Sequence, residues 1–274
     1  MAWHITDDID EFLAGAGDQL RARPVENTIL LTITDTLRHR GPHAFGAGTP
    51  VFGWCGDGAF LRTPPRGALL TEMPPEAAAA LALSLAGTDL PAVAAPDKVA
   101  EAFAAEWRRL TGAVPRLAGR QRLYRLDTLI PPDPPAPGAG RVAEERDRAL
   151  LLDWMAAFHE EIGEDPQRSA EFVDDKLSHG GLLLWEDGGR PVSIAGATRP
   201  VAGTVRVIAV YTPREHRAKG YAGAATTAVT RAALDAGATD VVLFTDLDNP
   251  TSNALYQRLG FTPVEDRRTV EFPA

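Results

Sequence analysis

Cysteine is nearly absent from this 274-residue chain. The single Cys55 excludes an internal disulfide and a cysteine-built structural zinc site, and it reads as a small buried hydrophobe. Basic charge is in deficit, with 28 Lys and Arg against 37 Asp and Glu for a formal charge of -9. That is the wrong sign for gripping a phosphate backbone, so nucleic acid is not expected as a partner. An acidic balance instead attracts cations such as amines. No apolar run approaches the roughly 18 residues of a membrane span, so no membrane partner is expected. The opening MAWHITDDIDEF lacks the basic-then-apolar layout of a secretory signal, which places the protein in the cytoplasm. Also missing are the GxxxxGK(S/T) phosphate loop and the GxGxxG dinucleotide fingerprint. What remains is an ordinary globular composition, 45% hydrophobic and 24% charged, long enough for two domains. The wealth of Ala, Arg and Gly fits a GC-rich bacterial genome.

The sharpest break is Pro131 to Gly140, with five prolines in ten residues. Proline forbids helix and stiffens the chain, so this segment reads as a linker between a domain at 1–130 and another at 141–274. After it, helical spacing runs from Val142 to Ile162 and from Ser169 to Leu177. Strand-like runs follow at Leu182–Trp185, Val192–Ala195 and Val205–Val210, expected as antiparallel neighbours, with Asp187-Gly188-Gly189 as a hairpin turn. A helix over Gly220–Ala236, a buried strand at Val241–Phe244, a helix at Thr251–Leu259 and a strand at Thr269–Phe272 complete the second half. The first half has a similar order: a helix before Arg23, strands at Ile29–Ile33, Val51–Trp54, Ala59–Arg62 and Ala68–Thr71, and a helix after Pro75. A strand at Ala92–Ala94, a helix at Lys98–Leu110 and a strand at Leu123–Leu126 follow. The fold class is therefore α/β with a duplicated arrangement, each half a mixed, mostly antiparallel sheet flanked by helices.

Between the third strand of the second half and its long helix lies Val210-Tyr211-Thr212-Pro213-Arg214-Glu215-His216-Arg217-Ala218-Lys219-Gly220-Tyr221-Ala222-Gly223. A loop carrying Arg, Lys and two glycines into a helix N-terminus is an anion cradle. The first helical amides lack intrahelical acceptors, the helix dipole is positive there, and glycine lets an anion approach the backbone. The ligand this suggests is a pyrophosphate.

The loop matches the (Q/R)-x-x-G-x-(G/A) pattern at Arg217, Gly220 and Ala222. About thirty residues later, Asn249, Ser252, Leu255, Tyr256, Gly260 and Phe261 match N-x-x-(A/S)-x-x-(L/I)-Y-x-x-x-G-F. Together and in this order, the two segments resemble the acyl-coenzyme A site of the GNAT superfamily of N-acetyltransferases. The resemblance covers 141–274 and implies tandem GNAT-like domains, acetyl-CoA as co-substrate, no metal, and direct transfer of acetyl to an amine of a small molecule or peptide. It further implies that backbone groups around Val210, Tyr211 and Thr212 bond the pantetheine amides. Amides of Ala218, Lys219, Gly220, Tyr221, Ala222 and Gly223 then hold the pyrophosphate, with Arg217 bracing the loop. Tyr256 protonates the departing thiolate, and Asn249 bonds the pantetheine arm. A strand N–H polarises the thioester carbonyl.

A primary amine is mostly protonated at neutral pH, so a general base or a desolvating pocket is required. Glu161 is the leading candidate for that base. Glu160, Glu186, Asp187 and Asp246 are alternatives, and His159, His179 and His216 are weaker ones. Ten carboxylates between Asp153 and Asp187, including Glu164 and Asp165, face only Arg168 and Lys176. They read either as an acidic wall that favours a cationic amine or as solvated helix faces. In the first half, the slot matching the cofactor loop reads Leu70-Thr71-Glu72-Met73-Pro74-Pro75-Glu76. It has no Arg, Lys or Gly, and two prolines remove N–H donors, so this half is expected to be a degenerate domain without cofactor, serving as a wall, a stabiliser or a homodimer contact. Two other readings of the whole remain: a non-catalytic CoA-binding regulatory or scaffolding protein, and a nucleotide-binding protein of another fold.

Overall fold

The structure, a computed structural model, describes residues 2–163 and 169–273. Glu164, Asp165 and Arg168, counted above in the acidic run, lie outside the described residues. The chain divides into two compact units. The first comprises residues 1–123, 245–249 and 263–274, and the second residues 124–244 and 250–262.

The first unit contains β1 (His4–Thr6), α1 (Ile9–Ala22), α2 (Thr28–Arg40), β2 (Val51–Cys55), β3 (Gly58–Arg62), β4 (Ala68–Leu70), α3 (Pro75–Leu85), β5 (Ala92–Pro96) and α4 (Asp97–Thr111). Helix α1 starts at Asp8, whose Oδ1 accepts the Asp10 and Glu11 amides at 2.8 and 3.2 Å, an ordinary N-cap. The strand expected at Ile29–Ile33 is instead part of α2. Its Thr hydroxyls bond back to the preceding turn, Thr32 to Thr28 O at 2.8 Å and Thr34 to Leu30 O at 2.9 Å. Its buried residues Leu30, Leu31, Thr34 and Leu37 fall on one helical face, so tertiary burial overrides the β preference of the Thr/Ile run. Strands β1 to β5 follow in spatial order, and β12 (Phe261–Glu271) comes after β5. Only β4 and β5 are parallel. The core joins Phe60, Leu81, Val93, Phe103 and Trp107 to Val270 and Phe272 from the end of the chain. Cys55 is half-buried rather than buried.

The second unit holds β7 (Ala139–Val142), α5 (Arg148–Ile162), α6 (Ser169–Leu177), β8 (Leu182–Asp187), β9 (Arg190–Ala197), β10 (Thr204–Tyr211), α7 (Tyr221–Asp235), β11 (Asp240–Asp246) and α8 (Pro250–Arg258). Its strands run β7-β8-β9-β10-β11, with β6 (Arg116–Leu126) after β11. Strands β8, β9 and β10 are antiparallel, and β10 and β11 are parallel. Helices α5 and α6 bury Leu151, Met155 and Val173 against Leu184, Ile194 and Tyr211. Helix α7 lies on the sheet through small residues, among them Gly223, Ala224, Ala225 and Thr226.

The first unit has one parallel pair, β4 with β5, and the second has β10 with β11, beside antiparallel neighbours. Strand β12 follows β5 and strand β6 follows β11, so each parallel pair is flanked by a strand from the other half of the sequence; residues 116–123 of β6 and 263–271 of β12 both belong to the first unit. This differs from the division expected at 131–140. The proline-rich segment falls inside the second unit, and part of it forms β7, which pairs with β8. The final strand begins at Phe261 rather than Thr269. Among the described residues no helix is long and apolar enough to cross a membrane, and no group of three or more His, Cys, Asp or Glu is placed to hold a metal ion.

Candidate active site

The parallel pairing of β10 with β11 runs from Thr204 opposite Asp240 to Val207 opposite Leu243. Strand β10 continues beyond that register to Tyr211. There it bulges: the register with β9 shifts between Ile208 and Tyr211, and Ala209 sits at φ 50°. An alanine in left-handed backbone is strained and must be held by its surroundings. The buried Ser193 on β9 does so, donating to Tyr211 O at 3.0 Å and sharing a hydrogen bond with Thr212 Oγ1 at 2.8 Å. Val210 is half-buried, and Tyr211 and Thr212 are buried. The Tyr211 ring meets Trp154 and Phe158 of α5 edge-on. The bulge had no signature in the sequence, because alanine does not announce positive φ.

From Thr212 the chain turns through a short 3-10 segment at Arg214–His216 and enters α7. Ala218 has φ 61°, and Gly220, the residue before the helix, has φ 82° and ψ 0°. Successive amides around such left-handed residues form a concave nest for an anion. The helical ladder starts with Ala224 N–H on Gly220 O at 3.1 Å. The amides of Tyr221, Ala222 and Gly223 therefore precede it and have no acceptor within the helix. Lys219 makes no ion pair among the described residues; its Nζ rests 3.4 Å from Glu215 O. Arg217, Lys219 and Gly220 are exposed, while Tyr221 and Gly223 are buried. These features fit a diphosphate: open amides, an exposed ammonium without an ion-pair partner among the described residues and a turn that only glycine adopts without strain.

Arg217 points back under the loop. Its Nε donates to Thr212 O at 2.8 Å, and its Nη2 reaches both carboxylate oxygens of Glu161, at 2.9 and 2.7 Å. Arg214 Nε adds a contact to Glu161 at 3.3 Å. Burial alone would raise the Glu161 pKa, but the two guanidiniums outweigh it and hold the pKa below the usual carboxylate value. Such a group is a fixed anion and a poor proton acceptor.

The other carboxylates in the run are largely engaged too. Glu186 accepts from Arg141 at 2.8 Å, Asp187 accepts from the Tyr221 hydroxyl, and Asp174 binds Arg148 at 2.7 Å. Asp175 binds Lys176 at 3.0 Å and Arg199 at 3.2 Å. Four of the carboxylates, Glu161, Asp174, Asp175 and Glu186, are thus paired with arginines 24 to 56 residues away, which a count along the chain misses. His159 shares a buried hydrogen bond with Ser169 at 2.9 Å, and His179 lies 3.9 Å from Asp175. The side chains of Glu160 and His216 have no ion-pair partner among the described residues.

Tyr256 on α8 is buried, its ring meeting Phe261 edge-on at 6.2 Å between centroids. Burial pushes its phenol up to about 12, so the hydroxyl keeps its proton across the physiological range. Helix α8 is positioned from β6, where the fully buried Tyr124 donates to Asn253 Oδ1 at 2.9 Å and accepts from Gln257 Nε2 at 3.1 Å. Asn249 is exposed just before α8, in the 245–249 stretch grouped with the first unit, and its N–H donates to Asp246 O at 3.2 Å. Asp246 Oδ1 in turn accepts from the Asp248 amide at 2.8 Å.

The corresponding strand-to-helix turn of the first unit offers far fewer donors. Pro74 and Pro75 have no N–H, and the Ala77 and Ala78 amides are both spent on Pro74 O at 2.9 and 3.2 Å. Met73 is buried there.

Residues 148–261 match the family model described as the acetyltransferase (GNAT) family. No curated protein matches the sequence. Among solved structures, a GNAT-family acetyltransferase from Colwellia psychrerythraea superposes with a TM-score of 0.61 at 12% identity, covering 99% of both chains. A GCN5-related N-acetyltransferase from Sphaerobacter thermophilus does so at 0.61 and 14%, covering 99% of this chain and 96% of that one. A tandem GNAT protein from the clavulanic acid biosynthesis pathway matches at 0.57 and 13% over the full length of both. These likenesses show the fold, and the family match assigns the chemistry to the second half. Residues 148–261 are therefore a domain of the acetyltransferase (GNAT) family, an acyltransferase domain of a family that uses acetyl-CoA, in a chain whose fold is similar to that of a tandem GNAT protein.

Proposed function

We propose that the second unit transfers acetyl from acetyl-CoA to a primary amine of a small molecule or peptide, the amine attacking directly while both substrates are bound. The observation that carries this reading is the conjunction of two features on one strand. Strand β10 runs past its pairing with β11 after Val207, and it then feeds the open amides at the start of α7. The first leaves strand N–H and C=O groups for an amide-bearing ligand, as in β-strand addition. The second binds a diphosphate.

In this reading the amides of Tyr221, Ala222 and Gly223, with those of the Ala218–Gly220 nest and the Lys219 ammonium, hold the diphosphate. Arg217 acts from behind, tying the loop to Thr212 O and Glu161. Backbone groups of Val210 and Thr212 hold the pantetheine amides. Acetyl-CoA supplies an acyl group already activated as a thioester. Tyr256 Oη keeps its proton until sulfur departs and then donates it. The ion pairs of Glu161 support a bracing role, which leaves the base that takes the amine proton to be sought among the other candidates, Glu160, Asp246 and His216 included.

The test is thiol release from acetyl-CoA against a panel of primary amines, beside binding of acetyl-CoA alone. Amine-dependent thiol release supports the transferase reading. Tight binding with no release for any amine would instead make the chain a CoA-responsive regulator.

A further inference from the structure

We infer that the proline-rich segment Pro131–Gly140 is a wall of the cofactor cradle, with Pro132 and Ala136 lining the diphosphate site; the inference rests on the cofactor reading above. Of these ten residues only Pro132 and Ala136 are half-buried, and the rest are exposed. Both face the start of α7. A Cβ placed on Gly220 would lie 3.4 Å from Ala136 Cβ. One placed on Gly223 would lie 3.4 Å from Pro132 Cγ and 3.2 Å from Leu255 Cδ1 of α8. The two glycines of the cradle are thus flanked on their Cβ side by the strap.

The strap is held at both ends. Ile130 N–H donates to Leu259 O at 3.0 Å before it, Trp185 Nε1 donates to Pro137 O at 2.8 Å, and its last two residues, Ala139 and Gly140, pair with β8 as the start of β7. A short span with prolines at 131, 132, 134, 135 and 137 is stiff, so it is a fixed wall and not a swinging lid. Those prolines have no N–H, and the only charge on the strap is Asp133, so it cannot grip an anion itself. Its chemistry is exclusion: an apolar flank keeps water from one side of the diphosphate and strengthens the bonds to the α7 amides on the other.

The experiment titrates CoA into the full-length protein and three variants, with melting temperature as the folding control. Ala136→Asp sets a carboxylate against the cradle and is expected to weaken binding about tenfold, an effect that shrinks with added salt. Ala136→Lys at the same position is expected to tighten it. Ala232→Asp, exposed near the C-terminal end of α7 and so remote from the cradle at its start, is expected to change it less than about threefold. Equal weakening by Asp and Lys, or no change from either, would overturn the wall and return the segment to a plain spacer. If Ala136→Asp fails to fold, the sign of the Lys effect decides alone. Wild-type protein that binds no CoA would overturn the cofactor reading itself, an outcome visible before any variant is made.

Discussion

The carboxylate of Glu161, in the last turn of α5, grips Arg217 Nη2 at 2.7 Å while Nε of the same guanidinium holds Thr212 O at 2.8 Å. One arginine therefore joins a helix end, a strand end and the loop that leads into α7. Glu161→Gln removes the charge and keeps the shape. Both partners are partly exposed, so the expected loss of stability is only about 0.5–1 kcal/mol. The Glu161 pKa is lowered in the folded protein, so the wild-type advantage is present at neutral pH and disappears as pH falls through that lowered value. Denaturant melts of both proteins at several pH values check the sign. In kinetics, a brace predicts a raised KM for acetyl-CoA with kcat nearly kept. A collapse of kcat alone would restore Glu161 as the base.

Tyr256→Phe deletes one buried hydroxyl and leaves the ring against Phe261. Loss of a general acid lowers turnover by about 10²-fold or more, whereas CoA affinity should hold within about twofold. With the phenol pushed up to about 12, no fall in rate from its ionisation is expected up to pH 10. Steady-state rates and a CoA titration check both halves, and a full-rate variant removes Tyr256 from the mechanism.

Ser193 links the bulge to its neighbours with no exposed surface. Ser193→Ala leaves the Tyr211 carbonyl and Thr212 hydroxyl short of a partner and should cost about 1–3 kcal/mol. The strained Ala209 then loses part of its support, so kcat/KM should fall further than stability predicts. Urea melts and initial rates measured on the same preparation separate the two.

Phe272 lies near the end of the chain, yet its ring packs 5.4 Å from Trp107 and 6.1 Å from Phe103, by centroid, in the core of the first unit. Phe272→Ala should cost about 3–5 kcal/mol. By the same topology, a fragment of residues 141–274 lacks β6 and with it Tyr124, which holds α8. It should be poorly folded by circular dichroism, while a chain starting before Arg116 retains that strand.

Much of the second unit was legible because its signals are local. Helix α6 has the bounds read from its apolar spacing, the Asp187-Gly188-Gly189 turn has positive φ at both glycines, and the loop motif sits at a strand-to-helix junction. What escaped depends on the tertiary partner. Thr and Ile in α2 look like strand until burial chooses the helix. That β12 follows β5 and β6 follows β11 leaves no local mark, since a strand reads the same whichever neighbour it pairs with. Prolines signal a stiff, extended chain, but not that Pro132 and Ala136 lie against Gly223 and Gly220. The acidic run read as a possible wall because its arginine partners lie up to 56 residues away, as with Glu161 and Arg217.

The most direct test of the central claim is a calorimetric titration of acetyl-CoA into the wild-type chain, repeated with Gly220→Glu. The open amides of α7 and the proline-blocked turn before α3 predict one site per chain, abolished when bulk and negative charge enter the cradle. Two sites per chain, or retained micromolar affinity in Gly220→Glu, would contradict the placement of the cofactor at the start of α7.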